Sequence, residues 1–278
     1  MIGENATVRD ARSLVDAILA TNSRFQGQVW WRGQGQHGWD LEPSVFRPRD
    51  GGHRYEQNVI LRFRQRAPSR HVNVPADSDM FGWLFLMQHY RLPTRLLDWT
   101  ESPLFACYFA VEDLDHANED GALYALNPYL LNLDQAATNG LLMPNSPICR
   151  RAVVRSFKTD ADDVDYVVGV LPSETQMRMM VQLSVFTVHG SGRKLNELPA
   201  ASDYLVKYRI PSPAKALLQS ELKYLGVRAS NLFPDLEHLA KETRELKFVA
   251  PRLPQDGQAS VDGGPGAIES PDDATTST

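Results

Sequence analysis

QHYRLPTRLLDWTESPLFACYFA, residues Gln88 to Ala110, sets a polar strand and its loops between two apolar segments. The segment before it, Asp79 to Tyr90, is apolar almost all round. It therefore reads as a buried helix, stopped by Pro93. Arg95 to Trp99 reads as a strand. Ser102 and Pro103 then open a second core helix, Pro103 to Glu112, as N-cap and first-turn residue. Strand alternation places Arg95 with Leu97 on one face and Leu96 with Asp98 on the other. A semi-buried Asp98 needs a partner, and Arg32 is the candidate. His89, Arg91, Arg95, Asp98 and Thr100 remain without a packing explanation. Polar loops held by rigid elements are where binding and catalysis concentrate.

A second stretch, WWRGQGQ (Trp30 to Gln36), sets one Arg among aromatics, glycines and Gln. Arg32 there can offer a guanidinium fork to an anion, Gly33 permits close backbone approach, and Gln34 adds an amide. An internal ion pair of Arg32 with Asp98 or Glu56 is the competing reading. The first 100 residues contain thirteen Arg and no Lys. Arg suits phosphate better than Lys does, although solvated helix faces and codon usage give the same pattern.

The chain has 278 residues, 42% of them apolar, and a formal charge of −5. Residues 1–250 have the composition of one globular domain. The stretch 251–278 lacks aromatics and carries a net charge of −4. It reads as a disordered acidic tail and leaves 1–250 near neutral, which weighs mildly against nucleic acid. The two cysteines make neither a disulfide framework nor a zinc site. No metal spacing links the seven histidines. No leader and no apolar run of about 18 residues is found, so no membrane partner and a cytoplasmic location are expected.

Beyond residue 115 the pattern changes. Ala122 to Leu126, Ala152 to Phe157, Tyr166 to Val170, Leu183 to Val188 and Tyr204 to Ile210 read as strands. Asn127 to Ala136, Ser212 to Tyr224 and Phe233 to Lys247 read as helices. Arg178 and Gln182 share a helix face. Helices first and strands later predict an α+β fold, with a helix-rich N-terminal half packed on a mostly antiparallel sheet from the C-terminal half.

These segments resemble the FRG domain family. Trp31-Arg32-Gly33 matches its aromatic-Arg-Gly motif, and Gln88 to Ala110 resembles its long second motif. LEPSVFRP (Leu41 to Pro48), Gln182 to Thr187 and LFPDLEHLA near the end add to the likeness, which spans about residues 25–240. Arg91 and Ser184 stand where the family usually has Gly. The family is common in bacteria and phages, and the resemblance implies no defined activity. A remoter likeness is to ADP-ribosyltransferases of the Arg-Ser-Glu type. In those, an aromatic-Arg strand grips the NAD phosphates and a Glu precedes a strand ending in F-x-V. Arg32, Leu97 to Thr100 and Glu174 follow that order, although the glutamate spacing departs from it.

Two functional readings follow. The first is a NAD- or nucleotide-binding, ADP-ribosyltransferase-like enzyme, of the kind found among toxins and phage-defence effectors, with a nucleotide-like small molecule as partner and NAD as the candidate cofactor. Arg32, Gly33, Gln34, Arg95, Thr100 and Gln182 would bind the ligand, and Asp98, Glu174 and His89 would act on it. The second is a non-catalytic module recognising nucleic acid or a protein. Convergence of Arg32, His89, Arg95, Asp98 and Gln182 on one open cleft points to a ligand site, and mutual satisfaction of their polar groups points to a structural clasp.

Overall fold

A computed structural model describes residues 6–47, 52–172 and 177–245. The tail 251–278 and Glu174 lie outside the described residues. In chain order the elements are α1 (Ala11–Arg24), β1 (Trp30–Gln34), α2 (Gly52–Arg66), α3 (Met80–His89), β2 (Leu96–Thr100), α4 (Pro103–Val111), β3 (Gly121–Leu126), α5 (Pro128–Ala136), α6 (Pro147–Phe157), β4 (Val167–Val170), α7 (Met177–Val181), β5 (Ser184–His189), α8 (Ala201–Tyr204), β6 (Leu205–Ile210), α9 (Lys215–Tyr224), α10 (Ala229–Leu232) and α11 (Leu236–Glu245). The strands form one sheet in the order β4-β5-β2-β1-β3-β6, and every neighbouring pair is antiparallel. The fold is α+β with an antiparallel sheet, as expected. The two motif strands, β1 and β2, are the central pair. Among the described residues no helix is long and apolar enough to cross a membrane.

One expectation fails locally. Ala152 to Phe157 is the second half of α6, not a strand. Its valines favour strands, but Ser146 caps Cys149 N–H and Pro147 sits in the first turn. A strong helix start overrides a short β-branched run.

Side-chain alternation divides the core by sheet face. On one face, Trp31, Leu123, Ala125 and Tyr208 pack under α1, α4 and α9. On the same face, Leu96, Phe186, Val188 and Val168 pack under α2, α3 and α6. The opposite face buries Trp30, Leu97, Trp99, Tyr124 and Val167 against Leu131 of α5 and Tyr204 of α8. The two helical layers of the first face part along the β1–β2 seam, and a cleft opens there.

Helix starts in this region follow from the sequence. Asp79 caps α3 by accepting from Gly82 N–H, and Ser102 caps α4 by accepting from Phe105 N–H. Such caps are each worth about 1 kcal/mol. Cys107 and Cys149 are buried in α4 and α6, and burial pushes the Cys107 thiol up to about 12. Both behave as small core residues.

Candidate functional site

The site begins with a defect in strand pairing. β1 runs against β3 along its whole length, from Trp30 opposite Leu126 to Gln34 opposite Ala122. Against β2 it pairs only where Trp31 faces Thr100. The two strands then part, and Arg32 occupies the gap. Its Nη1 donates to the Asp98 carbonyl oxygen at 2.6 Å, a group that a continuous ladder would have given a backbone partner. Its Nε is buried and has no hydrogen-bond partner.

The aromatic-Arg-Gly motif can then be read residue by residue. Trp31 is 2% exposed and anchors the core beneath α4. Gly33 is required by packing: a Cβ there would stand 1.8 Å from the Ala106 carbonyl oxygen of α4. The glycine therefore admits a helix, where the sequence suggested room for a ligand. Between them, Arg32 is left with unspent donors.

The long motif divides differently. Gln88 Nε2 donates to Asp98 Oδ2 at 2.7 Å, and Gln88 Oε1 accepts from Thr94 Oγ1. These bonds tie the end of α3 to β2. Arg95 is fully buried and lies away from the cleft. It donates to both Glu56 carboxylate oxygens, at 2.9 and 2.6 Å, and to the carbonyls of Ala152 and Gly190 at 3.0 Å each. Asp163 adds an ion pair at 3.3 Å. Arg95 is therefore a structural clasp joining β2, α2 and α6, and its expected ligand role is corrected. All three guanidinium nitrogens are bonded, which explains why so costly a burial is tolerated. Glu56, a considered partner for Arg32, is taken up here.

The cleft has a volume of about 500 Å³. Arg32 and Asp98 line its floor with Thr100 and Ser184, and His89 and Arg91 stand at the end of α3. Phe109 and Glu112 of α4, Arg178 and Gln182 of the α7 segment, and Phe233 complete the wall. Of the residues singled out from sequence, Arg32, Gly33, His89, Asp98, Thr100 and Gln182 are brought together here. Their availability differs. Thr100 Oγ1 donates to the Gln182 carbonyl at 2.7 Å and accepts from Ser102 N–H, and Gln182 Nε2 donates to the Leu232 carbonyl at 2.9 Å. These two side chains serve the wall. Gln34 is buried on the far face and bonded to the Asp40 carbonyl, so it does not reach this cleft. The N-terminus of α4 is closed by its Ser102 cap, and the cleft meets the other end of that helix.

His89, Asp98 and Arg32 keep unspent groups. His89 Nδ1 is buried without a partner. Burial, and then Arg178 and His71, hold its pKa below the ordinary value, so the ring is neutral at pH 7. Asp98 is exposed, and Gln88 engages only its Oδ2. Burial lowers the Arg32 pKa from its ordinary value, Asp98 opposes that, and the guanidinium stays charged.

Several groups were not singled out in the sequence. Glu112 ends the apolar α4. Burial raises its carboxyl pKa above the usual range, opposed by a bond from Tyr108. Phe109 precedes it by three residues and so shares its helix face. The Phe233 ring is stacked on His238 at 4.4 Å and crossed by the Arg178 guanidinium at 4.8 Å. A lone carboxylate closing an otherwise apolar helix was the available signal.

The backbone is strained at the rim. Arg91 has φ 58° and Leu183 φ 48°, both left-handed. The family's usual Gly at position 91 suits that conformation, and Arg91 adopts it at a cost of about 1–2 kcal/mol. Non-Gly residues in this region cluster at functional sites.

An antiparallel α+β sheet with a cationic, aromatic cleft at its central seam defines the structural class. Residues 27–119 match the family model of the FRG domain, so the chain carries an FRG domain. That segment runs from before β1 to just before β3, and the sheet completes it with β3, β4, β5 and β6 from beyond residue 119. No curated protein and no solved structure matches the chain.

Proposed function

We propose that the cleft binds a nucleotide-like anion, with NAD the first candidate, and that the protein acts as an ADP-ribosyltransferase-like enzyme. The observation that carries this reading is the unpartnered Nε of Arg32 in the strand gap, beside an exposed Asp98. A buried guanidinium donor without a partner is costly, and a phosphate satisfies it with charge-assisted bonds. Phe109 offers a ring face, and Arg91 and Arg178 add positive potential.

In the transfer reaction the bond between ribose C1′ and the nicotinamide nitrogen breaks, and nicotinamide leaves with the electron pair. The acceptor forms a new bond to C1′ and releases a proton. Asp98 would hold ribose hydroxyls. The neutral His89 would take the proton. A carboxylate facing C1′ stabilises the positive charge that develops there.

The test is a thermal-shift titration with NAD⁺, ADP and AMP, followed by a nicotinamide-release assay. We expect stabilisation by these ligands, release of nicotinamide, and loss of both in Arg32→Ala. If no ligand shifts the wild-type protein, the nucleotide reading fails. If ligands bind but no nicotinamide appears, the site binds without ADP-ribosyl transfer.

A further inference from the structure

A second cavity, of about 550 Å³, adjoins the first. Arg32, Phe109 and Glu112 belong to the walls of both cavities. Each cavity alone falls in the range of a small-molecule site, about 300–1,000 Å³. We propose that the two cavities form one bipartite site for a dinucleoside diphosphate, with its diphosphate at Arg32 and one ring-bearing half on either side. This inference rests on the nucleotide reading of the first cavity and assigns the second.

The second cavity repeats the kinds of groups found in the first. Its aromatic member is Trp39, 37% exposed. That ring is braced: it meets His116 edge-on at 4.8 Å, and His116 Nδ1 is held by Asp113 Oδ2 at 2.7 Å. The Trp39 backbone carbonyl also accepts from the Tyr124 hydroxyl at 3.3 Å. A large aromatic surface already held in place loses little entropy when a ring stacks on it. Asp115 supplies a carboxylate, as Asp98 does in the first cavity, and carboxylates pair with ribose hydroxyls, whereas Asp113 is engaged by His116 and the Asp115 N–H. Arg47 adds a cation, which makes two long bonds of 3.4 Å to the Glu42 carbonyl. Each half thus offers an aromatic face and a carboxylate, and the guanidinium with unspent donors stands where the halves meet. A mononucleotide would leave one half empty.

The test is calorimetric titration of the full chain with AMP, ADP and NAD⁺. We expect NAD⁺ to bind at least tenfold tighter than either AMP or ADP. Trp39→Ala should reduce NAD⁺ affinity to near that of ADP while leaving AMP affinity unchanged. Trp39→Phe, which keeps an aromatic face, should retain most of the NAD⁺ affinity. Equal affinities for ADP and NAD⁺ would overturn the bipartite site while leaving the nucleotide reading standing, as would an unchanged NAD⁺ affinity in Trp39→Ala. A parallel loss for AMP and NAD⁺ in Trp39→Ala would also overturn it, since the ring would then serve the fold. No binding of any of the three would overturn both readings together.

Discussion

Arg32 and Arg95 belong to two neighbouring regions of one sheet, each within a motif dense in polar residues, and their surroundings are opposite. Arg95 is fully buried, and its guanidinium is matched by a carboxylate pair, two carbonyls and a second acid. Arg32 has one backbone carbonyl and a buried donor left over. The difference teaches that polar density does not distinguish a clasp from a site. What distinguishes them is whether the hydrogen-bonding capacity is spent inside the protein. The Arg95 side holds three segments together, and the Arg32 side has capacity left for something else.

The largest expected effect tests that contrast directly. Arg95→Met should lower the unfolding free energy by roughly 3–5 kcal/mol, because it strands Glu56 in the core. Arg32→Met should cost less than about 1 kcal/mol, since it removes one bond from a half-buried position. Urea denaturation of both variants measures this, and equal losses would erase the distinction. Pairing Arg95→Met with Glu56→Met should recover much of the loss, because the uncompensated charge goes too.

The second effect also belongs to the clasp region. His189, whose N–H donates to the Arg95 carbonyl, is fully buried. Its Nδ1 lies 2.9 Å from the Arg193 carbonyl oxygen and its Nε2 lies 3.2 Å from Thr187 Oγ1. Burial lowers its pKa to about 4. In the unfolded chain the ring titrates near 6.5, so between these values only the unfolded state takes up the proton. Stability is therefore full above about pH 6.5 and falls by roughly 3 kcal/mol on the way down to pH 4. Stability measured against pH should show this limb, and His189→Asn should flatten it. A limb of unchanged slope in that variant assigns the acid sensitivity elsewhere.

The smallest effect sharpens the cleft side. Arg91→Gly relieves a left-handed residue at the rim but adds backbone freedom to the unfolded chain, for a net gain of about 0.5–1 kcal/mol. A higher Tm shows it. A lower Tm would mean that the Arg91 side chain braces the rim.

Much of this was legible in the sequence. The apolar segments flanking the central motif, the Ser102–Pro103 start and the strand character of residues 96–100 follow from local rules, and the structure contains them. Alternation, which put Arg95 on the face opposite Asp98, did not carry over to Arg95: it precedes β2, and its side chain reaches α2 and α6 on the Leu96 face. Local rules misread Ala152 to Phe157, where a capped helix start outweighed the valines. They also left Glu112 and Phe233 unmarked, because one ends a core helix and the other follows the short α10.

By itself the sequence determined most of the helix and strand segments, where most of them begin, and a set of polar residues that apolar packing does not explain. These properties depend on neighbours within a few positions along the chain. Only the tertiary structure decided which of those residues are spent. Glu56, 39 positions from Arg95, reaches it through the packing of α2 and consumes its donors. The parting of β1 from β2 depends on strands far along the chain, with Arg32 facing Tyr124 of β3, and that parting leaves the Arg32 Nε without a partner. Hydrogen-bond satisfaction is a sum over contacts distant in sequence, so no local pattern can report it.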